Sequence, residues 1–175
     1  MTSHTSSSYV LEMKTVQIAP MRTLMTALKD ILLETNIVFS KDYVDSKGNT
    51  VPAGIRIINM DKSHTILAHL FLDALKFEHF YCKYPKIVIG VNMFHLFKLI
   101  NTIDNDDTLT IYIEEKDYSD GIVEYLGLKF ENGDIKQMKI QKLKLIEPDE
   151  EELDMPSVKF SSIINLPATD FQKII

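Results

Sequence analysis

A chain of 175 residues with 19 Lys and Arg against 25 Asp and Glu, a formal charge of −6, has room for one medium domain, or one domain with part of another, and not for a long multidomain enzyme. Its 45% hydrophobic content, with 7 Tyr and 9 Phe, supplies a packed core and rules out wholesale disorder. The acidic balance argues against nonspecific coating of nucleic acid by the whole surface and leaves a local basic face open.

The opening Met1 to Ser8 carries Ser and Thr but no apolar run, and reads as a frayed tail. From Tyr9 to Ile18 the residues Val10, Leu11, Met13, Val16 and Ile18 predict a strand that ends at Ala19-Pro20, where proline suits the first turn of a helix. Met21, Leu24, Met25, Leu28, Ile31 and Leu32 recur at three- and four-residue steps and predict a helix from about Met21 to Glu34. The opposite face of that helix carries Arg22, Thr26 and Lys29, which on their own read as solvated surface.

Lys41 to Ala53 is a polar cluster, with Gly48 and Pro52, and reads as a loop joining two strands. Gly54 to Met60, Thr65 to Asp73, Phe77 to Cys82 and Lys86 to Val91 are β-branched or aromatic runs with short polar breaks, as in an antiparallel meander. Asn92 is an N-cap for a second helix whose apolar stripe is Met93, Leu96, Phe97 and Ile100 and whose polar side shows His95, Lys98 and Asn101. Thr108 to Glu114 and Ile122 to Phe130 continue the strands, and Asn132-Gly133 signals a turn before the lysine-bearing strand Ile135 to Ile146. Two helices beside many strands give an α+β fold.

Beyond Ile146 the composition changes abruptly. Glu147, Asp149, Glu150, Glu151, Glu152 and Asp154 crowd together, interrupted by Pro148 and Pro156, a linker signature in which like charges keep the chain solvated. Val158 to Leu166 resumes a strand pattern and Pro167 opens a helical one. The spacing Pro167, Phe171, Ile175 repeats that of Pro20, Leu24, Leu28, so an internal duplication is expected. The organisation read from these signals is a tail at 1–8, a domain at 9–146, an acidic connector at 147–159 and the start of a second domain at 160–175.

Enzyme signatures are missing: no phosphate-cradling glycine pattern, nucleophile elbow or pair of metal-spaced histidines on one helix. His79 and Cys82 have zinc-like spacing without two further ligands, and Cys82 is the one cysteine, so no internal disulfide forms and a reducing compartment fits best. Asp104, Asp106 and Glu115 match calcium-loop positions, yet Leu109 stands where the sharp turn needs glycine. Ser63 beside His64 lacks the third orienting group of a hydrolytic triad, and strand alternation accounts for Asp61, His64 and His69. No stretch approaches the roughly 20 apolar residues needed to span a bilayer, so the expectation is a soluble, non-secreted protein without a membrane partner or cofactor.

Several segments taken together resemble one family. Ala27-Leu28-Lys29-Asp30, Met60-Asp61-Lys62-Ser63-His64, Gly90-Val91-Asn92-Met93, Glu152-Leu153-Asp154-Met155-Pro156 with Phe160, and Leu166-Pro167-Ala168-Thr169-Asp170-Phe171 are similar, in order and separation, to the eukaryotic-type DNA sliding clamp, proliferating cell nuclear antigen. The resemblance covers nearly everything after Ser8. It implies a DNA-clamp fold in which two helices pack on antiparallel sheets, and a homotrimeric ring of two-domain subunits of which this chain supplies one domain, the connector and part of the next. It implies no catalysis and no cofactor, with double-stranded DNA, DNA polymerase, other replication or repair proteins and a separate clamp loader as partners. Work in the nucleus follows, or at a cytoplasmic replication site if the source is viral.

Carried over by residue, the resemblance assigns DNA-facing roles to Arg22, Lys29, Lys98 and Lys173, with Thr23 and Asn101 standing where lysines are expected. It assigns a partner-peptide groove to Met60, His64, Thr65, Leu67, Leu153, Met155 and Phe160, with Thr65 in place of an apolar residue. Subunits would meet through the strand around Ile135 to Leu145, whose Lys136, Lys139, Lys142 and Lys144 otherwise read as edge protection. Lys41 to Ala53 is longer than the family's turn, a departure that suggests a divergent, viral relative. The alternative is a stand-alone clamp-derived module that binds peptides without encircling DNA.

Overall fold

In a computed structural model of the protein, residues 8–46, 48–149, 153 and 159–174 are described. Strand β1 (Tyr9–Thr15) leads into helix α1 (Ile18–Ile31), followed by β2 (Glu34–Ser40) and a small hairpin, β3 (Tyr43–Val44) with β4 (Thr50–Val51). Then come β5 (Gly54–Met60), β6 (Leu67–Asp73), β7 (His79–Cys82), β8 (Lys86–Asn92) and helix α2 (Met93–Ile100). The remainder is β9 (Thr108–Glu114), the short pair β10 (Tyr118–Ser119) and β11 (Ile122–Val123), β12 (Tyr125–Asn132), β13 (Gln137–Lys144) and one helical turn, α3 (Ala168–Phe171).

Two antiparallel sheets organise the chain. One has the order β13-β12-β9-β1-β7 and the other β6-β5-β2-β8. Both contribute to one apolar core, with Leu11, Met13, Leu109, Ile113 and Leu128 from the first and Ile37, Ile57, Ile87 and Ile89 from the second. Ile18, Met21, Met25 and Leu28 of α1 enter that core, as do Met93, Leu96 and Ile100 of α2. The three- and four-residue spacing of these side chains is what gives each helix one buried face, and α1 packs beside α2. Among the described residues no helix is long and apolar enough to cross a membrane.

Several boundaries differ from the sequence reading, each for a physical reason. Helix α1 begins at Ile18, three residues early, because Ile18 is buried and Pro20 still lies within the first turn, where its missing N–H costs no hydrogen bond. It ends at Ile31, and the chain turns at once into β2, which the sequence reading passed over. Thr35, Ile37 and Phe39 of β2 are buried in alternation, and the strand sits between β5 and β8. The four runs read as one meander divide between sheets. Strand β7 leaves β6 through a short helical turn capped by the Asp73 carboxylate and pairs with β1, placing Met13 opposite Phe80. The Asn132-Gly133 signal marks a longer loop, in which the Asn132 side chain accepts the amides of Asp134 and Ile135 and Lys136 takes the positive φ. Residues 159–167 form no strand, and 159–174 are exposed throughout.

Asn92 caps α2 as expected, its side chain accepting from the His95 amide. Lys142 is not a free edge lysine. Its ammonium bonds Asp117 and Glu114, each at 2.8 Å, fastening β13 to the turn after β9, and these two acceptors hold its proton more tightly than usual. Met138 and Ile140, by contrast, are exposed on the outer edge. At Gly90 a Cβ would stand 2.6 Å from the Ile146 carbonyl oxygen, so only glycine lets residues 146–147 lie on β8.

Candidate functional site

Two surfaces collect the residues singled out by sequence. The first is the outward face of α1 and α2. Thr23, Thr26, Ala27 and Asp30 of α1 and Phe94, His95 and Lys98 of α2 are exposed there. The Thr23 and Thr26 hydroxyls donate to the carbonyls of Ala19 and Arg22, so both are satisfied within the helix. Lys29 and Lys98 reach this face, but in different states. Lys29 is ion-paired with Asp30 and sits 4.9 Å from the Phe97 ring centroid. Lys98 lies 4.4 Å over Phe94 and carries no ion pair among the described residues.

Arg22 behaves differently from the sequence expectation. It is half-buried, its Nη1 donates to the Asn105 side chain at 3.2 Å and its Nη2 to the Ile103 carbonyl, and its Nε is buried without an acceptor among the described residues. The guanidinium therefore ties the loop after α2 to α1. Charge reversal at Arg22 disrupts that loop rather than testing an outward-facing cation. Lys173, on the exposed C-terminal turn, pairs with Asp170 at 3.6 Å.

The second surface is a pocket of about 210 Å³ lined by Asn36, Ile58, Asn59, Met60, His64, Asp149 and Leu153. Of the seven groove residues assigned by resemblance, Met60, His64 and Leu153 meet here. Leu67 pairs with Met60 across β5 and β6 but is not part of the pocket lining, and Phe160 is 74% exposed. The Thr65 hydroxyl bonds the Ser63 hydroxyl at 2.7 Å, and Thr65 is not part of the lining. Met155 lies outside the described residues.

Asn36, Ile58, Asn59 and Asp149 are lining residues that sequence reading missed. Asn59 also braces the neighbouring strand, since its Nδ2 donates to the Glu34 carbonyl and the Thr35 hydroxyl while its Oδ1 accepts the Met60 amide. The available signal was an amide side chain inside each of two strand patterns, where polar residues are depleted unless they have partners.

His64 is held at the pocket rim by one carboxylate. Asp61 accepts the amides of Ser63, Thr65 and Ile66 and the Ser63 hydroxyl, closing the six-residue loop 61–66 in which His64 takes φ +56°. The Ser63 hydroxyl first, then the Ile66, Thr65 and Ser63 amides, hold the Asp61 carboxyl well below the usual carboxylate range. A depressed folded value contributes stability above the unfolded value, about pH 4, and loses it as pH falls through the folded one. Lowering the pH from about 4 toward 2 is therefore expected to loosen the 61–66 loop progressively. NMR titration of the Asp61 carboxyl carbon checks this: the midpoint should lie clearly below 4, and an ordinary midpoint near 4 would contradict the hub geometry.

Among the described residues no three His, Cys, Asp or Glu side chains are grouped to hold a metal ion. The arrangement lends itself to docking: Met60, Ile58 and Leu153 form an apolar notch of a size to take an apolar side chain, while the Asn36 and Asn59 amides at its margin are committed to the protein's own backbone.

Residues 10–152 match the family described as "Proliferating cell nuclear antigen, N-terminal domain". The chain is similar to a "Proliferating cell nuclear antigen" of Chaetomium thermophilum, 28% identical over 165 residues, covering 94% of this chain and 57% of the relative. It is equally similar to a "Probable DNA polymerase sliding clamp 1" of Paramecium bursaria Chlorella virus 1, 28% identical over 165 residues and 56% of that protein. A "Probable DNA polymerase sliding clamp" of Acanthamoeba polyphaga mimivirus is 28% identical over 121 residues, 69% of this chain and 25% of the relative. The chain thus spans little more than half the length of the first two curated relatives and a quarter of the third.

Proposed function

Because the chain belongs to the proliferating cell nuclear antigen N-terminal domain family, we propose that it acts as part of a noncatalytic sliding clamp, which encircles duplex DNA and tethers DNA polymerase. Tethering turns each rebinding of the polymerase into a local event at high effective concentration. The observation that carries the reading is the pair of surfaces on one domain: a two-helix face with Lys29 and Lys98, and a notch with Met60, His64 and Leu153.

The helix face suits contact with a phosphate backbone that must be weak. With Arg22 committed to Ile103 and Asn105 and Lys29 offset by Asp30, Lys98 is the least encumbered cation of the pair of helices. A ring needs no more, because enclosure keeps it on DNA and strong phosphate contacts would slow sliding. The notch suits a short helical turn from polymerase or another replication or repair protein, with Met60 and Leu153 adapting to different apolar anchors. Lys173, Thr65, Leu67, Met155 and Phe160 belong to this proposal by family position alone.

The proposal extends to the assembly. Subunits join into a homotrimeric ring through the β13 edge, where Met138 and Ile140 are exposed, and residues 160–175 begin a second clamp domain joined by the acidic connector. A separate ATP-driven loader opens the ring. Its place of work is a site of DNA replication, the nucleus or a viral replication site in the cytoplasm. Linearising the DNA under a loaded assembly tests the reading, since a ring escapes over a free end and an adhering protein stays.

A further inference from the structure

The wall of the notch that carries Leu153 comes from the chain after β13, and among the described residues that chain is tied to β8 at Gly90 and to β2 at Asn36. At Gly90 the absent side chain admits a close approach, and Ile146 donates its amide to the Gly90 carbonyl at 3.0 Å. Three residues on, the Asn36 side chain makes a two-way bond to the backbone of Asp149: Nδ2 donates to the Asp149 carbonyl at 2.8 Å and Oδ1 accepts the Asp149 amide at 3.0 Å. A carboxamide in this pose imitates the backbone of a neighbouring strand, so it extends β-type pairing by one residue where the sheet itself has ended.

We propose that Asn36 is a positioning residue for the docking notch, a clasp that fixes the connector so that Leu153 faces Met60 and Ile58. The proposal rests on reading the notch as a peptide-docking site. The physical need for a clasp follows from composition. Glu147, Asp149, Glu150, Glu151, Glu152 and Asp154 repel one another, and Pro148 cannot donate a ladder hydrogen bond, so this stretch has little of its own to hold it against the sheet. An amide suits this role because it is uncharged and presents an N–H donor beside a carbonyl acceptor. A carboxylate in its place loses the donor and adds to the repulsion, and an apolar side chain loses both bonds.

The test uses the full chain, with the Asp149 amide followed by NMR hydrogen exchange and docking followed by the anisotropy of a labelled peptide bearing an apolar helical turn. Asn36→Ala should speed exchange at Asp149 by about tenfold and weaken the peptide by about five- to tenfold, with little change in melting temperature because both partners are at the surface. Asn36→Gln, which keeps donor and acceptor, should recover part of both losses. The decisive readout is coupling: in a Leu153→Ala background, Asn36→Ala should cost no further affinity, because the clasp acts through the wall it positions. Unchanged Asp149 exchange in Asn36→Ala, or affinity losses that simply add, would overturn the proposal. If the unaltered chain fails to bind the peptide, the docking reading falls and the proposed role of Asn36 in docking falls with it, while faster Asp149 exchange would still show the bond itself.

Discussion

Replacing Met60 and Leu153 together by alanine is expected to weaken docking of a polymerase-derived peptide by about 2–4 kcal/mol, roughly 30- to 1000-fold. These side chains line the same notch, one from the end of β5 and one from the connector, and both are only part-exposed. Removing both leaves the floor to Ile58 and two amides, a surface that gains little from desolvation. The single variants should sum to a different value from the double, since both side chains contact the same anchor. Fold stability should hardly change, because neither side chain belongs to the buried core. Anisotropy titration measures the effect. Unchanged affinity in the double variant would remove the notch from the account.

The second large effect concerns the helix face. Lys98→Glu is expected to weaken contact with DNA more than Lys29→Glu, although both lysines lie on the same pair of helices. Lys29 already neutralises Asp30, so its reversal exchanges a local pair for a local repulsion, whereas Lys98 lies over the Phe94 ring with no ion pair among the described residues. Each lysine that contacts phosphate should contribute about one unit to the slope of log affinity against log salt. The Lys98 variant should lower that slope by about one unit per domain and shorten residence on DNA at low salt. Arg22→Glu serves as a contrast: it should lower the melting temperature, because it removes the tie to Ile103 and Asn105. Equal effects of all three reversals on DNA contact, with no loss of stability at Arg22, would contradict this assignment of roles.

How much was legible in the sequence depends on the kind of signal. Long periodic stretches were: the stripe of α1, the Asn92 cap and β9 read directly, because apolar spacing and a capping side chain are local properties. Strand β2 was not, because Glu34, Thr35 and Asn36 interrupt its apolar run, although the buried alternation of Thr35, Ile37 and Phe39 was present. The division of β5 to β8 between two sheets depends on β7 pairing with β1, some 70 residues away in sequence, and no local pattern encodes it. At the site, Met60, His64 and Leu153 came from family resemblance. For Asn36 the amide within a strand was the one signal, and it could not name the partner, which is the backbone of Asp149 and leaves no trace in residue types. The same holds for Arg22: its charge suggested an outward role, and only the carbonyl of Ile103 reveals the inward one.

As a sliding clamp, the role proposed above, the protein would hold DNA by enclosing it rather than by adhesion. The most direct measurement places the loaded assembly on nicked circular plasmid, raises the salt to suppress phosphate contacts, and then cuts the plasmid once with a restriction enzyme. Retention on the circle through the salt wash, followed by rapid release once the ends are free, is the expected result. Loss during the wash, or persistence on the linear DNA, would contradict it.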